Sequence, residues 1–408
     1  MKNKPIQENI PKGWRAMKLV GLFDFKNGLN KEKEFFGHGT PIINYMDVNK
    51  GGGLYKDNVL GRVEVNKSEL GRFNVKRGDV FFTRTSETLD EIGFSAVALD
   101  DFRDTVFSGF VLRARPKSKV LVPEYAQYCF RTQSARKEIM EKSSYTTRAL
   151  TSGTLLNHVN IKLPPVSEQK RIVLVLETWD KAIGKLAQKI ENKKHIKKGL
   201  MQELLTGKTR LPEFKDKWES KSFGDACKFW SGFPFPSKYF SEERGVRVVR
   251  NRDLKGDGQI LYYSGTDIPD SYTVQDGDIL IGMDGDFMTC KWSKGKALLN
   301  QRVGKLVAFK NANKDYLFYK IQVPLKIIEQ ETSSTTVKHL SAKVFEGFKA
   351  VFPPKIEQDA IANILTTADE EIQVLKRKLK VLQEQKRYLL NNLITGTIRT
   401  PEKLSTHN

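Results

Sequence analysis

Residues 163–211 read LPPVSEQKRIVLVLETWDKAIGKLAQKIENKKHIKKGLMQELLTGKTRL, and residues 352–400 read FPPKIEQDAIANILTTADEEIQVLKRKLKVLQEQKRYLLNNLITGTIRT. The two stretches align without a gap, from Pro164 on Pro353 to Arg210 on Arg399. Identical along the way are Glu168 and Glu357, Asp180 and Asp369, Lys197 and Lys386, and Gly207 and Gly396. An internal repeat of this kind decides the organisation of a chain before any other feature is read. In the first copy apolar residues fall at Ile172, Leu176, Trp179, Ile183, Leu186 and Ile190, in alternating steps of four and three. That is a heptad seam on a long helix. It continues through Lys193 and Lys197 to Leu200 and Leu204. The second seam runs Ile361, Leu365, Ala368, Ile372, Leu375, Leu379, Leu382, Lys386, Leu389 and Leu393. Pro-Pro ends the preceding strand, and Ser167 is placed to cap the first helix. Such a helix spans roughly 55 Å, longer than one small domain buries. Each is therefore expected to pair with the other as a two-stranded coiled coil, with Lys197 and Lys386 fixing register.

The first copy ends in Gly207-Lys208-Thr209, the tripeptide that closes a phosphate-binding loop. In the second copy it has become Gly396-Thr397-Ile398. A phosphate loop also needs an earlier glycine, after a strand and before a helix. Position 202 is Gln, and the segment follows a helix. Gly207 and Gly396 are expected instead as helix C-caps, where glycine adopts a left-handed conformation cheaply.

Ahead of each helix lies strand-rich sequence, and it repeats too. Trp14 pairs with Trp218, Asp47 with Asp253, and Gly78-Asp79 with Gly277-Asp278, while SSYTT at 143–147 matches TSSTT at 332–336. GDVFF and GDILI are turn-plus-strand signals. Residues 123–140 are helical by their apolar spacing. The expected order is a globule at 1–162, a helix at 163–211, a globule at 212–351, and a helix and tail at 352–408. Each globule is expected to be α+β.

The bulk numbers narrow the function. Lys and Arg number 69 against 48 Asp and Glu, giving a net charge of +21, far beyond what solubility needs. A polyanionic partner is implied, and nucleic acid is the commonest. Cys129, Cys227 and Cys290 are odd in number and widely spaced. They make neither a disulfide framework nor a zinc set, so no metal is expected. A reducing, cytoplasmic location fits. The N-terminal stretch has a basic start with no apolar run behind it, which is not a signal peptide. Apolar runs such as IVLVLE (172–177) are too short to span a bilayer.

The duplicated order of globule and Pro-Pro helix resembles the specificity subunit of type I restriction-modification systems. The resemblance rests on LPPVSEQKRIV with LLTGKTRLPEF, on FPPKIEQDAIA with LITGTIR, and on LNQRVGKL (299–306). It implies two similar target recognition domains joined by two long helices in an antiparallel coiled coil, with pseudo-twofold internal repetition. Each domain would read one half of a bipartite, gapped DNA target. The helices would set the gap and dock methyltransferase subunits, two of them, with restriction subunits joining. The chain itself would carry no catalysis and bind no cofactor; S-adenosylmethionine, ATP and Mg would belong to partner subunits. No membrane partner is implied.

Catalytic patterns are poor. Asp284 and Asp286 in MDGDF lack a third ligand, and the Pro-Pro pairs lack the surroundings of an adenine-methyltransferase tetrapeptide. The competing reading is an architectural protein that bridges DNA without reading it. Base reading favours Arg, Lys, Asn and Gln, and phosphates take Lys, Arg, Ser, Thr and amides. By matching places in the repeat, the first globule offers Asn44, Tyr45, Lys50, Thr83, Arg84, Ser86, Ser144, Tyr145, Thr147 and Arg148 as DNA contacts. The second offers Arg250, Asn251, Arg252, Lys291, Trp292, Asn300, Gln301, Arg302, Ser334, Thr335 and Lys338.

Overall fold

A computed structural model describes residues 10–256, 258–266, 268, 270–331 and 338–402. The chain divides into two units: Met1–Leu186 with Lys378–Asn408, and Ala187–Arg377. The two long helices, Val166–Leu204 and Lys355–Thr395, each contribute to both units. Each unit therefore holds one globule, the first part of the helix that follows it, and the last part of the other helix.

In unit 1 the strand Arg15–Lys18 pairs antiparallel with Asn160–Leu163, which leads into the first long helix. A five-stranded sheet follows the order Phe23–Asn27, Val111–Pro116, Val80–Thr83, Ser95–Ala98, Gly52–Leu54. The Gly78-Asp79 turn starts the strand Val80–Thr83: Gly78 has φ +90°, and the Asp79 carboxylate accepts from Lys76 N at 2.8 Å. Helices Pro123–Cys129 and Gln133–Lys142 cover the sheet, with the break between them capped by Thr132. The core joins Phe23, Phe82, Tyr125 and Phe130 to Ile172 and Leu176 of the first helix and to Leu393 and Ile394 of the second.

Unit 2 repeats the plan. Glu219–Ser222 pairs with Lys349–Phe352 ahead of the second long helix. A four-stranded sheet runs Cys227–Ser231, Val303–Ala308, Ile279–Gly282, Thr289–Lys291, and a five-stranded one is centred on Val246–Val249. Phe223, Phe229, Tyr316 and Phe345 join Ile361 and Leu365 of the second helix, Leu204 at the end of the first and Leu205 just past it.

The seam thus has two partners. Its end positions enter a globular core, while Ile183, Leu186, Leu375 and Leu379 between them stay half-buried, as a two-stranded pair leaves them. Within each unit the helices run antiparallel. In unit 2, Lys193 pairs with Glu371 at 2.8 Å and Lys197 with Asp369 at 2.6 Å. In unit 1 the equivalent Lys386 pairs with Asp180. Each aspartate also accepts a phenol from its own globule: Tyr319 for Asp369 and Tyr128 for Asp180, both at 2.8 Å. The two seam lysines therefore fix register through a carboxylate anchored in the globule.

Glu168 and Glu357 do the same at the helix starts. Glu168 accepts from Trp14 Nε1 at 3.1 Å and from Arg399 at 2.6 and 2.8 Å. Glu357 accepts from Trp218 Nε1 at 3.0 Å and from Arg210 at 3.1 and 2.6 Å. Gly207 and Gly396 have φ of +72° and +76°, as helix-ending glycines should. A second constraint acts on both, since an added Cβ would come within 3.1 Å of the Trp218 or Trp14 ring. Ser167 is not the cap expected of it: the helix begins at Val166, which puts Ser167 inside the first turn.

One buried charge breaks the repeat. Lys320 stands where unit 1 has Cys129, is 8% exposed, and donates to Leu205 O at 2.6 Å, just past the end of the first long helix. Its ammonium lies 5.6 Å from the Trp218 ring centre and 5.7 Å from that of Phe352. Burial pushes its pKa down to about 8. The folded value lies below the unfolded one, so the unfolded chain binds the extra proton between pH 8 and 10.5. Stability should rise with pH across that window, by on the order of 2–3 kcal/mol, and level off below pH 8, where both states carry the proton. In Lys320→Met that slope should vanish; urea denaturation at several pH values measures it, and an unchanged slope refutes the assignment.

Candidate nucleic-acid interface

In unit 1 the strand Val80–Thr83 ends at Arg84 and re-forms as Thr85–Ser86. There it pairs with Ala149–Leu150, which pairs with Ser144–Tyr145. This small sheet brings the 83–86 and 144–148 candidates onto one surface. Ser144, Tyr145, Thr147 and Arg148 are exposed, and Arg148 lies 3.3 Å from Glu87. Arg84 is half-buried and donates through Nη1 to Gly109 O at 3.0 Å. Tyr45 joins the group through a hydrogen bond to Ser86, and its phenol pKa is raised by burial first and then by the Glu91 charge. Lys50 is exposed at the end of the helix Tyr45–Lys50.

Three first-globule candidates are corrected. Thr83 is fully buried, and its hydroxyl accepts from Phe94 N at 3.0 Å, so it serves the sheet. Ser86 is buried and bonds Glu91 Oε2 at 3.2 Å. Asn44 caps the helix Tyr45–Lys50 in a reciprocal box with Asp47.

In unit 2 the Arg250 position matches Asn44 and is likewise spent on its own turn. Its guanidinium donates twice to Asp253 at 3.0 Å and also reaches Gln259 O. Trp292 is corrected: it is 1% exposed and donates to Gly295 O at 2.6 Å, inside a core cluster. Lys291 pairs with Asp315 at 2.8 Å, on the helix Lys314–Lys320. Two of the remaining candidates, Asn251 and Arg302, meet at Asp284. Arg302 reaches its carboxylate at 3.1 Å, His339 Nδ1 lies 2.7 Å from Oδ1, and Asn251 Nδ2 donates to its carbonyl at 2.7 Å. Arg252 and Gln301 are exposed, and Asn300, which precedes Gln301 in the turn, is half-buried. Lys338 donates to Glu329 O at 2.8 Å, and its carbonyl accepts from Gly285 N. Ser334 and Thr335 lie outside the described residues.

Asp284 and Asp286, weighed earlier as a metal pair, each face a cation: Asp286 takes Lys255 at 2.6 Å. Among the described residues no group of three His, Cys, Asp or Glu is placed to hold a metal ion. No described helix is long and apolar enough to cross a membrane. Sequence reasoning passed over Phe110 and His339. Phe110 occupies the place that Arg302 takes in unit 2, and aligning residues 107–111 with 299–303 across the repeat is the signal that finds it.

Two repeated α+β globules, the first exposing cationic and aromatic side chains and the second cationic and amide ones, and each bound to a long helix pair, form a duplicated architecture suited to contacting nucleic acid. The chain belongs to the family of type I restriction modification DNA specificity domains, whose model matches at residues 11–193 and again at 215–384. It is 25% identical to a putative type I restriction enzyme specificity subunit of Methanocaldococcus jannaschii, over 96% of this chain and 95% of that one. It is 33% identical to the EcoBI specificity subunit of Escherichia coli, over 50% of this chain and 44% of that one. The fold matches the type I S subunit of M. genitalium with a TM-score of 0.56 at 18% identity, covering 96% and 98% of the two chains. It also matches a chain from a structural study of type I complex assembly and conformational transition, with a TM-score of 0.60, 18% identity, and coverage of 96% and 100%. This chain is thus a DNA target-recognition subunit of a type I restriction-modification system.

Proposed function

We propose that each globule reads one half of a bipartite, gapped and asymmetric duplex sequence, with residues 1–162 and 212–351 as readers and 163–211 and 352–408 as spacers. The spacers set the gap and offer equivalent docking places to two methyltransferase subunits, and restriction subunits join that complex in the cytoplasm. Transfer and cleavage chemistry, with S-adenosylmethionine, ATP and Mg, belongs to those partners. The observation that carries this reading is the duplication of anchoring contacts, Trp14–Glu168–Arg399 and Trp218–Glu357–Arg210. Each fastens a reader to both helices in the same way. Arg148, Lys50 and Tyr145 in unit 1, and Arg252, Gln301 and Arg302 in unit 2, face solvent and are the candidates for contacting DNA.

The test is to co-express the chain with the methyltransferase subunit of its own genome and sequence the modified bases. One gapped, asymmetric sequence with a modified base in each half is expected. Salt-sensitive DNA binding with random or absent modification would overturn the reading in favour of an architectural role.

A further inference from the structure

The turn that joins strands Val106–Phe107 and Val111–Pro116 is tied on every side. Leu29 N donates to Phe107 O at 2.8 Å, Ser108 N to Ile43 O at 2.9 Å, and Gly109 N to Leu29 O at 2.7 Å. Val111 N donates to Ser108 O at 3.1 Å and Arg84 N to Phe110 O at 3.2 Å. Phe110 N reaches Ser108 Oγ at 3.3 Å, and Arg84 Nη1 holds Gly109 O. Gly28 approaches so closely that a Cβ there would lie 2.1 Å from Ser108 O. On this braced turn the Phe110 side chain stands 66% exposed.

Unit 2 repeats the five backbone bonds of the brace. Phe233 N donates to Leu299 O at 2.9 Å, Asn300 N to Val249 O at 3.3 Å, and Gln301 N to Phe233 O at 3.1 Å. Val303 N donates to Asn300 O at 2.9 Å and Met283 N to Arg302 O at 3.1 Å. Gly232 packs on Asn300 as Gly28 does on Ser108. The residue at the Phe110 position is Arg302, whose side chain is 54% exposed. The neighbouring position changes in the same sense. Leu150, paired with Thr85 and 41% exposed, corresponds to His339, bridged to Asp284.

A lone exposed phenyl needs no explanation. Here the backbone is fixed identically twice while the chemistry on it switches, from apolar in unit 1 to cationic and polar in unit 2. A rigid mount with an interchangeable tip suits readout, because little ordering cost is left to meet on binding. Base edges in the major groove offer the matching pair of chemistries: the thymine methyl for an apolar tip, and guanine O6 and N7 for a guanidinium. Resting on the reading of the globules as half-site readers, we propose that this turn apex is a specificity-determining position in both units. Phe110 packs on the methyl group of a thymine in one half-site, and Arg302 donates to O6 and N7 of a guanine in the other. Arg84 and Asp284 are positioning residues, the first bracing the turn and the second aiming Arg302.

The experiment selects binding sequences from a randomised duplex pool with the complex of this chain and its methyltransferase subunit, and repeats the selection with Phe110→Ala and Arg302→Ala. Wild type should yield a two-part sequence. Phe110→Ala should lose one thymine preference in one half alone, and Arg302→Ala one guanine preference in the other, each by about tenfold or more in discrimination. Replacing that thymine with deoxyuridine, which removes only the methyl, should weaken wild type and leave Phe110→Ala unaffected. A preference unchanged in Phe110→Ala overturns the proposal. If methyltransferase binding is lost instead, the phenyl belongs to a protein interface, which overturns it equally. Failure of wild type to select any two-part sequence would remove the half-site reading itself, and the proposal with it.

Discussion

Glu357→Ala is expected to destabilise unit 2 by about 2–4 kcal/mol. The carboxylate is fully buried in the first turn of the second long helix. It accepts one bond from Trp218 and two from Arg210, so its loss orphans an indole N–H and a guanidinium together. It also removes a negative charge from a helix start, where the backbone dipole favours one. The end of the first long helix is held there by Arg210, so both helix ends should loosen. Hydrogen exchange over residues 203–211 and 355–365 measures this, with faster exchange expected in both segments. Glu357→Gln keeps one acceptor for Trp218 and should lose less. Glu168→Ala should act in the same direction on unit 1, through Trp14 and Arg399. Unchanged exchange in Glu357→Ala would mean that the buried triad does not fasten the helices.

Those triads were legible in the sequence only as identities in a repeat. Trp14 and Trp218, Glu168 and Glu357, Arg210 and Arg399 matched, but nothing in their spacing said that they meet. Helix existence was readable because a heptad seam is a local periodic signal. The partners of that seam were not, because Ile172 and Leu365 carry the same seam chemistry whether they face a helix or a sheet. The site divides for a similar reason. Arg148 and Arg302 sit on turns, where composition reports exposure. Thr83 and Ser86 share the FTRTSE run with Arg84, yet Thr83 ends a strand buried at all its positions and Ser86 is buried beside Glu91. Asn44 and Arg250 looked like matched readers because the repeat preserves the position. What it preserves is a turn whose aspartate, Asp47 or Asp253, accepts from the backbone N of Asn44 or Arg250. Phe110 was invisible to a search for polar groups, because apolar readout has no polar signature.

Arg84→Ala should impair recognition of one half-site and spare the other. The guanidinium holds Gly109 O at 3.0 Å, and the Arg84 backbone carries both Phe110 O and Thr151 N. Truncation leaves the backbone bonds in place and removes the side-chain brace, so the turn should remain formed but lose its fixed presentation. With a wrong or badly held base contact worth about 1–3 kcal/mol, affinity for the intact target should fall by roughly 5- to 150-fold. The discriminating measurement is a cycle across two duplexes. In wild type, mutating either half of the target should weaken binding strongly. In Arg84→Ala, mutating the half read by unit 1 should cost little more, while mutating the other half should still cost the full amount. Equal further losses from both mutated halves would show that Arg84 does not serve one reader. Arg84→Lys separates brace from charge. Lysine keeps the cation but cannot easily reproduce the planar guanidinium contact at Gly109, so a loss close to that of alanine is expected if bracing is the role. Recovery to wild-type affinity with lysine would assign Arg84 to phosphate attraction instead, and the salt dependence of binding would then drop in the alanine variant alone.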